Sequence, residues 1–467
     1  MSFFPRIIIA LLVSVVCLLP IEAEAALVAQ KIRHSNSPEQ FRIVVDLNEK
    51  INVKTMTGFG NRIVVDLGVG TLDKEVKDLI LSDQIVRQAK LFVVDKNKLQ
   101  LDVLLGLETN YKVYLLENPW RLVIDVFKDY DIKEEADIAP GLKYTLNRRM
   151  QNGRVLRIHY LTIDTGKWQL KPMLASDSIF SREGLRSMAT RSKAKAAVNA
   201  SYFGSDGWII GNLKIDGEII GAESKVRTAL LVHEANKLEF MMTSYNGQVI
   251  LPNGNTVPIT GVNRERNVND LIVYESKYAA RTKTNPHGRE ITLDKDGKVL
   301  FINFAGNSQL QKDQIVLSGH GTMADQLAQL QVGDRVIVKQ SMGGNADKAT
   351  HVVGAGPRLI QSGNVVVSSG NREQFLPDIM NGRAPRTAIG LTKDGKIILM
   401  VVDGRSSLST GFTLVELANE LKSKGVVDAM NFDGGGSSEM VVGNMIKNVP
   451  SDNQERRVSV GLGVFPR

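Results

Sequence analysis

The chain has 467 residues, with 58 Lys and Arg against 50 Asp and Glu (net +8), 41 glycines and a single cysteine. That length predicts two to four domains at roughly 100–200 residues each, and a composition of 43% hydrophobic and 23% charged residues excludes wholesale disorder. The cysteine, Cys17, lies in an N-terminal run that reads as a removed leader, so cysteine zinc sites, disulfides and thiol catalysis are excluded from the mature chain.

Arg6 precedes an apolar stretch from Ile7 to Leu19, followed by Pro20 and the small-residue tail Ala23-Glu24-Ala25. One basic residue, a short apolar core and this tail predict an export signal over residues 1–25. The apolar stretch is shorter than the roughly 20 residues of a spanning helix, so no permanent membrane span is expected. Val16 before Cys17 is too bulky for a lipoprotein site. The expected location is the periplasm or cell envelope. Cleavage removes Arg6, Glu22 and Glu24, which leaves the mature chain slightly more basic. Such a balance suits anionic envelope polymers or phosphorylated substrates.

Three segments then repeat: Arg42-Ile-Val-Val-Asp46-Leu47, Arg62-Ile-Val-Val-Asp66-Leu67 and Arg121-Leu-Val-Ile-Asp125-Val126, with Leu99 to Leu104 a looser relative. Short β-branched runs between turn residues predict strands, here of an all-β sandwich. The repeated Asp reads as a cross-strand partner of Arg and offers no chemistry. The pattern over residues 27–128 resembles the AMIN domain of exported envelope proteins, which implies binding to peptidoglycan or another wall polymer. The acidic segment Asp129 to Pro140, closed by Pro-Gly, reads as a linker over 129–141.

Residues 142–467 hold the candidate site. Ile397 to Val402 is a six-residue apolar run, as expected of a strand buried on both faces. Asp403-Gly404-Arg405 and a Ser/Thr-rich loop follow. Thr413-Leu-Val-Glu416 fits a capping box, Leu414, Leu417, Ala418 and Leu421 recur at helical spacing, and Gly425 ends the helix. Val426 to Phe432 is the next strand, running into Asp433-Gly434-Gly435-Gly436-Ser437-Ser438-Glu439. Strand, helix and strand predict a βαβ unit with parallel strands, so Asp403 and Asp433 belong on one rim, where α/β sheets bind ligands. Elsewhere Asp216-Gly217, Asp296-Gly297 and Asp394-Gly395 read as hairpin turns. Three successive glycines after Asp433 suggest backbone brought close to a ligand, with amides for an anion. The architecture expected is multidomain: an all-β sandwich followed by an α+β domain whose mixed sheet contains the βαβ unit. Residues 257–345 read as an elaboration.

Further short elements are Asn199-Ala-Ser-Tyr-Phe203, Ile210-Gly-Asn212-Leu, Gly354-Ala-Gly-Pro-Arg358, Arg386-Thr387-Ala-Ile-Gly390 and Arg456-Arg457-Val-Ser-Val. Together with Asn431-Phe-Asp433-Gly-Gly-Gly-Ser-Ser438 they resemble the phosphodiester glycosidase family from about residue 150 onward. One departure is that members often read Asn-Gly-Gly-Phe-Phe where this chain has Asn199-Ala-Ser-Tyr-Phe203. The resemblance implies hydrolysis of a glycosyl-1-phosphodiester at the anomeric carbon, where a phosphomonoester leaves with little protonation and cationic stabilisation replaces a strong general acid. On that basis Asp433 and Asp403 are expected as nucleophile or base, with Arg386 the catalytic cation. Arg358, the Gly434, Gly435 and Gly436 amides and Ser437 would hold phosphate, Asn199 and Asn212 would bind sugar hydroxyls, and Thr387, Arg405, Ser438 and Arg457 would complete the substrate contacts. One carboxylate could instead bind a divalent cation, Ca or Mg; no other cofactor is implied. The alternative reading is a non-catalytic envelope carbohydrate-binding or exopolysaccharide-assembly protein.

Other signals carry less. His320-Gly-Thr322 and Asp164-Thr-Gly166 resemble subtilisin-type motifs, but the serine segment is missing. Walker A, G-x-S-x-G and H-E-x-x-H motifs are absent. Aromatics do not interleave with basic residues, which argues against nucleic acid as a partner.

Overall fold

The computed structural model describes residues 26–37, 39–57, 61–107, 109–151, 154–223, 225–367 and 372–467; the export signal read over residues 1–25 lies outside them. The chain divides into two compact units, one reaching Gly106 and including Asn110–Phe127, the other comprising Leu107–Thr109 and Lys128–Arg467.

The first unit contains strands β1 (Leu27–Asn36), β2 (Gln40–Leu47), β3 (Lys54–Thr57), β4 (Arg62–Leu72), β5 (Leu79–Ile80), β6 (Val86–Val94), β7 (Lys98–Leu105), β8 (Tyr111–Leu116) and β9 (Arg121–Phe127). Among the described residues they form one nine-stranded sheet in the order β5-β6-β7-β4-β1-β2-β9-β8, with β3 on β4. The repeats explain it. Ile43, Val45, Leu47, Ile63, Val65, Leu67, Leu122, Ile124 and Val126 are buried, and their period of two places them on one face. The Arg and Asp residues of the repeat meet across strands: Arg42 holds Asp125 bidentately at 2.6 and 2.9 Å, Arg33 holds Asp46, and Arg62 holds Asp102. A bulge at Asp66–Gly68 turns β4 from its pairing with β7 toward β1, with Gly68 at φ +98° as such a bend requires.

In the second unit the segment read as a linker is instead strand β10 (Tyr130–Ala139), paired with β11 (Leu142–Gln151). Its acidity is matched across the pair, where Lys143 meets Glu135 and Arg148 meets Glu134. Charged side chains also suit an outermost strand, which must resist pairing with other chains. After β12 (Arg154–Ile163) come β13 (Trp168–Leu174), helix α1 (Leu185–Arg191), β14 (Ala196–Asn199) and the hairpin β15 (Tyr202–Phe203) with β16 (Ile209–Ile210). A lobe follows: β17 (Leu213–Ile215), β18 (Glu218–Glu223), β19 (Arg227–Val232), β20 (Leu238–Thr243), then strands β21 to β28 and the short helix α2 (Thr322–Gln326) between Asn246 and Ser341, closing with β29 (His351–Gly354). Because Leu213 pairs with Val353, the chain leaves and returns at one place. The lobe therefore starts well before the expected 257–345 and has its own core around Leu231, Val249, Val273, Leu293 and Leu317.

The remaining elements are β30 (Arg358–Gln361), β31 (Asn364–Val365), α3 (Pro377–Asn381), β32 (Arg386–Thr392), β33 (Ile397–Val402), α4 (Leu414–Ser423), β34 (Val426–Asn431), β35 (Met440–Val442), β36 (Met445–Ile446) and β37 (Val460–Pro466). They complete an eight-stranded sheet, β10-β11-β12-β33-β32-β34-β30-β31, and a five-stranded sheet, β13-β37-β14-β35-β36. Ile397, Leu399 and Val401 of β33 pack toward Val198, Leu462 and Met440; Ile398, Met400 and Val402 pack under Leu414, Leu417 and Leu421 of α4. The apolar run of β33 is thus buried on both faces, between a helix and a second sheet.

The expected mixed sheet is the ten-stranded one of the lobe, where Gly261–Val262 runs parallel to Leu271–Glu275; the eight-stranded sheet that carries the rim has antiparallel pairings throughout. β33 and β34 do run parallel, but β32 lies between them and opposes both, so α4 carries the chain over β32 and not to a neighbouring strand. Among the described residues no helix is long and apolar enough to cross a membrane.

Candidate active site

The interposed β32 assembles the rim. Its first residue, Arg386, lies opposite Val402, and Ala388 lies opposite Asn431. The start of β32 and the ends of β33 and β34 therefore coincide, which brings Arg386, Asp403 and Asp433 to one edge. The Thr413–Glu416 capping box fixes the helix between them, with Glu416 N–H donating to Thr413 Oγ1 and Thr413 N–H to Glu416 Oε2.

The two carboxylates differ in freedom. Asp403 is 1% exposed. Its Oδ1 accepts the Val449 N–H at 3.0 Å, and its Oδ2 faces His159 Nε2 at 3.3 Å and Arg157 Nε at 3.5 Å. His159 is held in turn by Tyr144 through Nδ1. Asp403 therefore ties β12, β33 and the Val449 loop together, and neither oxygen is open to a substrate. Asp403→Ala leaves the Val449 N–H, Arg157 and His159 facing a void and is expected to cost about 3 kcal/mol of stability. Calorimetry checks this; an unchanged melting temperature would place the residue outside the scaffold.

Asp433 is half-buried. Its N–H donates to Ala200 O, and its carbonyl accepts from Asn199 Nδ2 at 2.7 Å. The Ser437 hydroxyl and Gly434 amide reach its carboxylate. Burial pushes its pKa up to about 6, opposed by those two hydrogen bonds and by the Arg456 charge.

The three glycines each meet a guanidinium. A Cβ on Gly434 would lie 3.9 Å from Arg386 Nη1, one on Gly435 3.3 Å from Arg405 Nη1, and one on Gly436 2.1 Å from Arg456 Nη2. Gly435 also has φ +62°, where a side chain is strained. Gly435 and Gly436 thus leave room for Arg405 and Arg456, whereas the close contact of a Cβ on Gly434 would be Pro385 O at 3.0 Å, with Arg386 beyond it. Arg386 is buried, donating from Nε to Phe412 O and from Nη2 to Ile379 O and Gly382 O. Its burial, without a carboxylate partner among the described residues, lowers its pKa. Arg405 is exposed, and its own φ of +60° is an uncommon conformation of the kind found at functional sites. Arg456 shares Asp452 at 2.6 Å. An anion beside Asp433 would complete the charge of the first two.

Other expected contacts are displaced. Arg358 donates to Ile360 O, Phe240 O and Asp428 Oδ1; these partners anchor it to the lobe and β34, outside the arginine cluster. Asn212 is fully buried, bonded to Thr243 Oγ1 and the Glu223 N–H, and so presents nothing to a sugar. Asn199 Oδ1 accepts from Thr387 Oγ1 and the Glu439 N–H, which makes Asn199 and Thr387 braces of the loop. The amide of Gly435 donates to Pro385 O, so it is not open to an anion. Arg457 is exposed and, among the described residues, it is the neighbouring Arg456 that packs against the loop at Gly436.

Sequence reasoning passed over two groups. Tyr202 donates to Gly356 O and accepts from Asn431 Nδ2, and its phenol is pushed up by burial and then by the Asp433 charge. Glu439 is 2% exposed and faces Glu455; burial, then the Glu455 charge, raises its pKa to about 8. The apolar setting of Glu439, just before Met440-Val-Val, was the available signal for the second. Ser201 Oγ, Asn431 Oδ1, Ser438 Oγ and Ser451 Oγ are buried with no hydrogen-bond partner among the described residues. Such orphans are few in native proteins, and these four are on segments flanking the Asp433 loop.

The donor set does not favour the expected cation. Asp403 is engaged elsewhere, and among the described residues no three acidic or imidazole groups cluster as a metal site. Cavity size is also a poor guide: a cavity of about 780 Å³ is lined by Lys171, Met173, Ile215 and Phe465 and not by the Asp433 loop.

The fold and rim define a β-rich domain that presents one half-buried carboxylate within an arginine cluster. Residues 309–465 match the family model of phosphodiester glycosidases. An uncharacterized protein of Rickettsia conorii is 27% identical over 46% of this chain and 77% of its own. Mouse N-acetylglucosamine-1-phosphodiester alpha-N-acetylglucosaminidase is 31% identical, over 20% of this chain and 20% of its own, so the chain spans only a fifth of that enzyme. A crystal structure of a hypothetical protein from Synechocystis shares the fold, with TM-score 0.67 and 20% identity over 95% of this chain and 81% of that one.

Proposed function

We propose that the protein hydrolyses a glycosyl-1-phosphodiester at the anomeric carbon. The observation that carries this reading is the Asp433 carboxylate, which feels the Arg456 charge, followed by a glycine loop lined by Arg386, Arg405 and Arg456, within the segment matching the family. The phosphate lies against the guanidiniums and brings the anomeric carbon to Asp433. The ionised carboxylate then attacks that carbon, or takes a proton from the water that does. The bond from the anomeric carbon to the phosphate oxygen breaks, and a phosphomonoester leaves with its electron pair; where the carboxylate itself attacked, water then displaces it from the anomeric carbon, freeing the sugar and restoring Asp433. Developing charge on the phosphate is met by fixed cations that need no reorganisation. Asn199 and Thr387 hold the loop, and Asp403 holds the strand ends.

The export signal read over residues 1–25 and the AMIN-like reading of residues 27–128 extend this to an envelope hydrolase held on peptidoglycan or another wall polymer. The test incubates the purified protein with a panel of glycosyl-1-phosphodiesters and measures free reducing sugar, alongside cosedimentation with sacculi. Product release with cosedimentation is expected. Cosedimentation without product across the panel would favour the non-catalytic carbohydrate binder, and product without cosedimentation would remove the wall-binding role.

A further inference from the structure

The hairpin that carries Tyr202 leads to a second cavity. Tyr202 pairs with Ile210 and Phe203 with Ile209, so the next rung sets Gly204 opposite Trp208, where Gly204 N–H donates to Trp208 O. Two rungs separate Tyr202 from Trp208, about 7 Å along the strand at roughly 3.3 Å per residue. A Cβ on Gly204 would lie 1.9 Å from Trp208 Nε1, so the indole packs directly against the hairpin backbone. It faces a cavity of about 370 Å³ whose other walls are Glu223, Lys225, Thr260, Arg264, Glu265 and Asn267 of the lobe.

The chemistry of this cavity differs from that of the Asp433 rim. Arg264 is neutralised by a bidentate pair with Asp270 at 2.8 Å and tied to Thr260 O, so it serves as a rigid wall and not as a free charge. Glu223 Oε1 is buried with no hydrogen-bond partner among the described residues, and Glu265 is exposed. Two carboxylates disfavour a phosphate here. A half-buried indole, an acceptor that lacks a donor and polar side chains at the rim suit a ring with one apolar face and several hydroxyl donors.

We propose that Trp208 and Glu223 form a saccharide subsite that takes a sugar ring of the leaving group, so that the lobe selects substrates whose phosphate is followed by an oligosaccharide. The leaving-group role of that sugar rests on the hydrolase reading; the saccharide site itself does not. Trp208 stacks on the ring and Glu223 accepts from its hydroxyls, while the arginine cluster holds the phosphate next along the chain. Both are specificity-determining residues and take no part in bond breaking.

Two measurements on the full chain test this. The first compares kcat and KM for a methyl-capped glycosyl-1-phosphodiester with those for its counterpart bearing a trisaccharide after the phosphate. Trp208→Ala is expected to raise KM for the trisaccharide substrate by roughly tenfold relative to the methyl-capped one, with the kcat ratio preserved, and Glu223→Gln to act in the same direction with an unaltered melting temperature. Equal changes for both substrates, or no preference of the wild type for the longer one, would overturn the proposal. The second titrates the same neutral trisaccharide alone by calorimetry. Binding that weakens in both variants is expected even if no phosphodiester is hydrolysed, which would reject the hydrolase reading and retain the subsite. Absence of wild-type binding together with absence of hydrolysis rejects both.

Discussion

Asp433→Asn is expected to lower sugar release from a glycosyl-1-phosphodiester by about 10³-fold or more with little change in KM. The substituted amide keeps an acceptor for the Ser437 hydroxyl and the Gly434 N–H, so the loop holds its shape while nucleophile and base are both lost. The pH dependence follows from the same environment. The carboxyl is held near pKa 6 by burial and acts only when ionised, so kcat/KM of the wild type rises with pH through about 6. The residual activity of the variant lacks that limb. Initial rates from pH 4.5 to 8, with circular dichroism as the control for folding, decide the matter. Undiminished turnover in the variant would remove Asp433 from the mechanism, and a limb that persists in it would assign the titration to another group.

The second large effect concerns stability. Glu439 carries a folded-state pKa of about 8 against an ordinary value of 4.5. A carboxyl raised in this way stays protonated in the fold while the unfolded chain ionises. Its contribution is complete below about pH 4.5, is lost steadily as pH rises, and levels off above about 8. With about 1.4 kcal/mol per unit, the wild type loses on the order of 5 kcal/mol across that window through this group. Glu439→Gln keeps a donor for Glu455 without a charge to bury, so it should remove most of the slope and raise stability at pH 8. Urea midpoints at pH 5, 6, 7 and 8 provide the measurement. Asp433 adds a slope of the same sign near pH 4 to 6, so the quantity to compare is the difference between variant and wild type. Parallel curves would show that Glu439 is not the titrating group.

The site is thus built from two kinds of carboxyl, one poised to ionise near pH 6 and one kept neutral behind it. Their separation is set by burial. Glu439 lies within the loop's base, bonded through its N–H to Asn199, whereas Asp433 sits at the mouth beside exposed Arg405. The Asn199 side chain, donating to the Asp433 carbonyl and accepting from the Glu439 N–H and the Thr387 hydroxyl, fixes that arrangement without touching a substrate.

Local signals were legible wherever the physics is local. The period of two in the Arg-Ile-Val-Val-Asp-Leu repeats specifies strands with one buried face, and the cross-strand pairing of Arg42 with Asp125 is the role such a repeated Asp suggests. The apolar run from Ile397 to Val402 could only be a strand buried on both faces. Asp216-Gly217 and Asp394-Gly395 join adjacent strands β17–β18 and β32–β33, while Asp403-Gly404 stands apart because a helix follows it. The capping box at Thr413 and Glu416 is contained within four residues and forms as read.

Tertiary structure alone decided which polar groups remain available. Asp403 and Asp433 end parallel strands and look alike in sequence, yet His159, 244 residues earlier, reaches only Asp403. That distinction comes from β12 lying beside β33, a pairing between distant segments. The same holds for β10, whose acidity suggested a linker until β11 supplied Lys143 and Arg148. It holds also for Arg358, engaged by Asp428, and for the exchange of Arg457 for Arg456. The repeat strands, the strand–helix–strand run from Ile397 to Phe432, the Asp-Gly turns and the loop with its glycines were readable from local sequence. Sheet order and register determined which carboxylate stayed open and which three arginines line its loop, because hydrogen bonding saturates each group with whatever neighbour the long-range pairing brings within reach.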